Sequence, residues 1–401
     1  VLSSLPMKRF RQPVLFLATF VLCAPATGFA SESTPMSEDT PLTRSLVSLG
    51  NPTRLYQVLQ RAEQGEEICV GVIGGSITAG ARASQVEYRW GNRVHAWWTA
   101  AFPDTSVRFV NAGIGATGSS IGAHRAKKDL LIHHPDVVVV EFSVNDENRK
   151  LFAETLEGLV RQILNSPKKP AVLLLFTMNR QGNNAQEWHG QVGEHYRLPM
   201  VSFRDAVWPE IQAGRLKWED VEADEVHPND RGHALCADYL NHVFEWAWET
   251  LPRDRMPCVP PLPDPLFTDV FERTTLLNAE KIAPLSIEGW SSSQSPFFGP
   301  CWETDQPGSS LFFELSGSAI SVIFYRVKGD MGIARAGVDD LPPVELNGWF
   351  AADWGGYSPW ELVAGNLSPG PHRVHIELLE KKAPQSQGHR FQLLAVCAAG
   401  G

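Results

Sequence analysis

Apolar residues follow two different rhythms along this chain, and the change between them divides it. From residue 64 to residue 252, short unbroken apolar runs alternate with longer stretches in which apolar positions recur every three or four residues. The runs are Ile68–Ile73, Ser106–Val110, Asp136–Val144, Ala171–Phe176 and Met200–Phe203. Their length and β-branched content predict strands buried on both faces. The periodic stretches Val86–Ala101, Gly122–His133, Leu151–Leu164 and Arg231–Thr250 predict helices, the last opened by a cap signal at Asn229-Asp230. Alternation of this kind predicts an α/β fold, a parallel sheet with helices on both faces. Two details stand out. Trp97 and Trp98 cannot share one helix face, so one of them is expected in the core. Glu141 lies inside a valine run, and a buried carboxylate needs a partner that the sequence does not name.

Helical rhythm stops at Arg253. Residues 253–266 hold five prolines between Pro257 and Pro265 and predict a stiff, extended linker. From 267 to 401, short runs such as Leu311–Leu315, Ala319–Tyr325, Val344–Leu346, His372–Leu378 and Phe391–Val396 are separated by turn signals, which predicts an all-β sandwich. Ahead of the α/β region, residues 31–63 read as a flexible leader rich in Ser, Thr, Pro and Glu, followed by a short helix within Leu46–Ala62.

Residues 1–30 change the picture of where the protein works. Lys8, Arg9 and Arg11 after Met7 form a basic segment, Val14–Cys23 an apolar core too short to span a bilayer, and Ala24-Pro-Ala26 or Gly28-Phe-Ala30 a small-residue cleavage site. This is the pattern of a signal peptide, so an exported protein, periplasmic or secreted, is expected, with no membrane segment after cleavage. The net charge of −10 would become about −13 on removal of those three cations, and no basic stretch remains. A nucleic-acid partner is excluded on that ground, because a phosphate backbone needs a clustered positive face. Five cysteines would remain, an odd number; Cys69 and Cys236 lie in apolar patterns, whereas Cys258 and Cys301 could pair.

The candidate chemistry collects at the ends of the buried runs. The first run ends in Gly74-Gly75-Ser76, which turns the backbone sharply and leaves a hydroxyl at the rim of the sheet. The second leads into Asn111-Ala-Gly-Ile-Gly-Ala-Thr-Gly118, the third into Ser143-Val-Asn-Asp146, and Asp224-Glu-Val-His227 precedes the last helix. A parallel sheet brings these ends to one edge. A serine hydroxyl needs a base to become a nucleophile; His227 can serve near neutral pH, and Asp224, three residues earlier, can hold its other ring nitrogen. Ser76 N–H, Gly113 N–H and the Asn145 side-chain amide are the candidate donors to an oxyanion. Pro228 biases His227 toward extended backbone, which suits a presenting loop.

Other readings compete. Gly113-Ile-Gly-Ala-Thr-Gly118 spells a dinucleotide fingerprint, yet the acid expected at the end of the next strand stands at its start, as Asp136. The Gly-x-Ser-x-Gly elbow is broken by Thr78. His189 and His195, or His227 and His233, could ligate a metal, but no carboxylate pattern supports one.

The four blocks, in this order and spacing, resemble the SGNH (GDSL-like) hydrolase family over residues 64–250. Gly75 stands where the best-known block has Asp. The resemblance implies a flavodoxin-like sheet and ester hydrolysis by Ser76, His227 and Asp224 without cofactor or metal, with Ser76, Gly113 and Asn145 as the oxyanion hole. Joined to a sandwich carrying Trp290, Trp302, Trp349, Trp354 and Trp360, the chain resembles exported bacterial carbohydrate esterases. It implies removal of small acyl groups, O-acetyl first, from a polysaccharide or another small ester. The alternatives are a lipase or thioesterase acting on longer acyl esters, and a sugar-binding protein with an inactive hydrolase domain. The Trp354-Gly-Gly-Tyr357 turn could bind sugar or shape the active site.

Overall fold

The computed structural model describes residues 39–255 and 257–401. The expected signal peptide and most of the leader lie outside the described residues. The first sheet is built from β1 (Leu46–Ser48), β2 (Ile68–Gly74), β3 (Val107–Gly113), β4 (Val137–Glu141), β5 (Ala171–Phe176) and β6 (Met200–Ser202). Their order is β1-β6-β5-β4-β2-β3, parallel except for β1, which pairs antiparallel with β6. The chain passes from β2 to β3 on one side and then crosses to β4 on the other. The crevice outside the carboxyl ends of β2, β3 and β4 is therefore the switch point where open α/β sheets take ligands.

Side chains of the central strands alternate between two cores, because successive residues of a strand point to opposite faces. Val70, Val72, Val137, Val139 and Leu173 pack against helices α2 (Thr53–Glu63), α4 (Trp90–Ala101) and α9 (Asp230–Glu249). Ile73, Val138, Val140 and Leu174 pack against α5 (Ser119–Asp129), α6 (Lys150–Leu164) and α7 (Gln186–His195). Trp98 is in the first core and Trp97 only half-buried against it. Asn229 caps α9, its side chain accepting from the N–H groups of Arg231 and Gly232.

The expected helix over Leu46–Ala62 is two elements. Leu46–Ser48 forms the edge strand β1, and helix begins only at Thr53, after Pro52. A five-residue helix α1 (Pro41–Ser45), held by a Thr40 capping box, precedes β1. The strand expected to reach Val144 stops at Glu141, because the N–H groups of Asn145 and Asp146 both fold back onto the Phe142 carbonyl, at 3.0 Å each.

Residues 274–399 form two antiparallel sheets enclosing their own core. One has the order β15-β12-β17-β10-β9, with β7 also paired to β17; the other runs β14-β13-β16-β11-β8. The strands are β7 (Thr274–Leu277), β8 (Ser286–Glu288), β9 (Ser291–Ser295), β10 (Gly299–Thr304), β11 (Ser310–Ser316), β12 (Ala319–Phe324), β13 (Ile333–Val338), β14 (Val344–Asn347), β15 (Trp360–Ala364), β16 (Pro371–Leu378) and β17 (Phe391–Ala399). Trp290 and Trp302 are core residues of this sandwich.

The proline segment is tied down along the α/β face. Arg161 donates to the Pro263 carbonyl at 2.8 Å and His195 Nε2 meets the Asp264 carbonyl at 2.8 Å. The buried Glu157 carboxylate accepts from the N–H groups of Leu266, Phe267 and Thr268. Phe271 and Trp360 then pack around His124 of α5. Cys258 is exposed and Cys301 buried, and both are free thiols, so the pairing considered for them does not form.

Candidate active site

Strand β2 is buried throughout, and its chain turns at once into a four-residue helix, α3 (Ser76–Ala79). Sterics explain both glycines of the turn. A Cβ at Gly74 would lie 2.1 Å from Thr78 Oγ1, and one at Gly75 would lie 2.1 Å from Asn145 Oδ1. Real Cβ atoms do not approach that closely, so the backbone comes in only because no side chain is there. Asn145 thereby abuts the peptide that precedes the serine.

His227 Nε2 lies 2.8 Å from Ser76 Oγ, and His227 Nδ1 lies 2.9 Å from each oxygen of Asp224. The segment carrying them closes on itself. Ala223 N–H donates to the His227 carbonyl at 2.8 Å, Asn229 N–H to the Val221 carbonyl at 3.0 Å, and the Trp218 indole N–H to the Asp224 carbonyl at 2.8 Å. Asp224 also accepts from the N–H groups of Val226 and His227 at 3.0 Å and from Arg82 Nε at 2.9 Å. Partial burial pushes its pKa up, but the hydrogen bonds from Val226, His227 and Arg82 outweigh burial and hold the carboxyl below the usual carboxylate range. A carboxylate there accepts the Nδ1 proton, which leaves the Nε2 lone pair facing the serine hydroxyl.

Of the three expected oxyanion donors, the structure keeps two free and engages the third. Ser76 N–H opens α3 and so has no carbonyl one turn back within the helix. Asn145 Oδ1 is buried against Gly75 without a hydrogen-bond partner among the described residues, and no described residue engages Asn145 Nδ2. Gly113 N–H, in contrast, donates to Asn111 Oδ1 at 2.9 Å. A Cβ at Gly113 would lie 2.3 Å from Ala79 N, so this glycine lets β3 pack under α3. Two residues on, a Cβ at Gly115 would lie 3.9 Å from Ser76 Cβ. The next residue, Ala116, holds φ 54 in the left-handed region, a conformation that costs a non-glycine residue on the order of 1 kcal/mol. The turn at Gly115-Ala116 borders the serine, and Gly113 supports it from below.

Residues 72–235 match the GDSL-like lipase/acylhydrolase family. The chain is also 31% identical to a two-domain esterase (CEX) active on acetylated mannans, over 90% of this chain and 98% of that one, with a TM-score of 0.82. The same likeness holds to that esterase co-crystallised with mannopentaose. This chain belongs to the GDSL-like lipase/acylhydrolase family. It is a serine ester hydrolase. Thioesterase 1/protease 1/lysophospholipase L1 of Escherichia coli K12 is 27% identical over 177 residues, 42% of this chain and 79% of that one.

Around the chain of hydrogen bonds from Ser76 to Asp224, this GDSL-like hydrolase carries residues that no motif marks. Arg82 is one, an exposed residue in a left-handed turn with no motif to mark it. Glu222 is another. Burial, and then the charge of Asp224, pushes its carboxyl up to about 9, so it is neutral at pH 7. Glu141 is fully buried, and burial raises it to about 7 against the pull of hydrogen bonds from Thr177 and Thr78. These two threonines are the partners that sequence could not name. Arg125, buried, donates to the carbonyls of Ala112 at 2.7 Å and Gly74 at 3.0 Å and so fastens the ends of β3 and β2 together.

The histidines weighed as metal ligands have other neighbours. His189 Nε2 lies 3.0 Å from Asp146 Oδ2, and His233 Nε2 lies 3.1 Å from the Ala81 carbonyl. In the GDSL-like hydrolase's sandwich, Phe350, Trp354 and Tyr357 pack together beside Arg326, whose guanidinium donates to Tyr357 Oη at 2.8 Å. Trp354 is 61% exposed. Burial raises the Glu361 carboxyl on β15, with the charges of Arg149, Glu147 and Arg326 as smaller influences.

Proposed function

We propose that this enzyme is exported and removes small acyl groups, O-acetyl above all, from a polysaccharide by an acyl-enzyme mechanism. The hydrogen-bonded chain from Ser76 through His227 to Asp224 carries the mechanism. The two-domain frame shared with an esterase active on acetylated mannans supports the substrate class. His227 Nε2 takes the Ser76 proton as Oγ attacks the ester carbonyl. The imidazolium is stabilised by Asp224, which remains a carboxylate. The oxyanion is held by Ser76 N–H, Asn145 Nδ2 and an N–H of the Gly115-Ala116 turn, in place of Gly113. Each such donor contributes about 3 kcal/mol to lowering the barrier. As the tetrahedral intermediate collapses and the bond from the acyl carbon to the sugar oxygen breaks, His227 gives its proton to that oxygen, which leaves as a hydroxyl; a water, activated by His227 in the same way, then hydrolyses the acyl-enzyme and frees Ser76. The exposed Trp354 and its neighbours offer a flat face on which a sugar ring can stack.

The test is hydrolysis of acetyl, butyryl and octanoyl esters by wild type and Ser76→Ala, beside acetate release from acetylated mannan and xylan. Acetyl preference with polysaccharide release, both lost in the variant, is expected. Rates rising with chain length would move the enzyme to the lipases. Equal rates from both proteins would remove the serine mechanism.

A further inference from the structure

Glu141 is the last residue of β4 and lies directly beside Gly74 of β2 in the parallel register. The four preceding residues are all valine. A fifth apolar side chain would satisfy the same core without the cost of burying a polar group. What the carboxylate does there is specific. Its Oε2 accepts from Thr78 Oγ1 at 3.1 Å and its Oε1 from Thr177 Oγ1 at 2.8 Å. Thr78 belongs to α3, two residues after Ser76, and its carbonyl accepts from Asn111 Nδ2 at 2.8 Å. Thr177 follows β5, and its N–H donates to Ser143 Oγ at 2.8 Å, with Ser143 Oγ returning a bond to the Thr177 carbonyl at 3.2 Å. Ser143 is two residues before Asn145 on the chain that leaves Glu141.

We infer that Glu141 is a positioning residue, a brace that holds the nucleophile turn at a fixed height against the segment bearing the Asn145 oxyanion donor. Each threonine hydroxyl has one proton to give, and both are directed to this one side chain. Cutting the Thr78 arm frees α3 from the strand that leads to Asn145. The Thr177 arm secures the same acid from the side away from the serine. A shift of about 1 Å between nucleophile and oxyanion donor can cost a hundredfold in rate while substrate contacts elsewhere persist. The effect therefore belongs in kcat rather than KM.

This inference rests on Ser76 being the nucleophile, and the experiment separates the two claims. Thr78→Val, Thr177→Val, Thr78→Ser and Glu141→Gln would be compared with wild type and Ser76→Ala on 4-nitrophenyl acetate. Rates would be expressed per active site titrated with diethyl 4-nitrophenyl phosphate, so that unfolded molecules do not count, except for Ser76→Ala, which has no hydroxyl to titrate and is expressed per mole of protein shown to be folded by circular dichroism. The expected result is a loss of tenfold or more in kcat for Thr78→Val with KM within about twofold. The rate of phosphorylation by the organophosphate should fall in parallel. Thr177→Val should stay within about threefold of wild type, and Thr78→Ser should recover to the same range. If Thr78→Val does not fold, Glu141→Gln is read by the same criteria. Equal losses from the two valine variants, or a wild-type kcat in Thr78→Val, would overturn the brace. Wild-type rates in Ser76→Ala would instead overturn the nucleophile assignment on which it stands.

Discussion

Two carboxylates of the segment that carries His227, Asp224 and Glu222, are perturbed in opposite directions, and the signs make a prediction. Asp224 is held below its usual range, so its contribution to stability is present above the unfolded pKa near 4 and is lost as pH falls further. Glu222 is raised to about 9, so the folded protein binds one more proton than the unfolded chain between about pH 4.5 and 9. Stability falls as pH rises through that window. Keeping this acid neutral at pH 7 costs on the order of 3 kcal/mol relative to a group that does not titrate. Glu222→Gln is expected to flatten the decline in Tm between pH 6 and 9 and to be the more stable protein at pH 8.5; calorimetry across that range checks it. Arg82 is more exposed, and its bond to Asp224 is correspondingly weaker. Arg82→Ala should lower kcat severalfold without abolishing it, measured on the acetyl ester at pH 7. Ser76, Asn145, Asp224 and His227 were legible in the sequence because they sit in short motifs at element ends. Arg82 and Glu222 were not, because their relevance comes from the way the loop folds onto the serine, and no local pattern encodes it.

At the scale of elements, the buried strands were the plainest signal. Ala171–Phe176 runs to the residues expected of it, since an apolar run of that length can only be buried on both faces. Ends were less legible. Phe142–Val144 continues the run expected of β4, yet the chain folds into a turn there, and that turn lets Asn145 reach Gly75. The three-residue β1 was hidden because its pairing with β6 is a tertiary contact. Gly113 was read as a donor from its place after a strand. Its actual partner, Asn111 Oδ1, lies two residues back, a local bond that side-chain chemistry alone does not announce. The close approach at Gly75 gives a test. Gly75→Asp introduces a Cβ where the Asn145 amide now lies, and kcat for acetyl esters is expected to fall about a hundredfold, the scale of one oxyanion donor. Circular dichroism should show the fold retained.

Across the whole molecule, the change of rhythm at Arg253 marked the passage from alternating strands and helices to a sandwich. It could not show that the proline segment is strapped to α6 through Glu157, nor that Trp360 packs beside His124. Those contacts join residues more than a hundred positions apart. The five tryptophans of the second half divide by burial: Trp290 and Trp302 are core, Trp349 and Trp360 half-buried, and Trp354 open to solvent. The stacking face proposed above therefore falls to Trp354. Trp354→Ala is expected to raise KM for acetylated polysaccharide several-fold and to leave 4-nitrophenyl acetate unchanged, since the small ester is too short to reach it. Equal kinetics on both substrates would assign the cluster to packing.

The lone exposed thiol among the described residues, Cys258, stands in that proline segment. The other four described cysteines are shut inside strands or helices, and burial pushes the thiols of Cys69, Cys236, Cys301 and Cys397 up, away from the reactive thiolate. Among the described residues, thiol oxidation therefore has one place to act. Two molecules can be stitched together there into a covalent dimer whose cores are untouched, and a stock left in air would drift toward doubled mass with its fold intact. The same position is a ready-made anchor: a maleimide would attach a dye, or a solid support, at one point on a backbone already fastened to the enzyme.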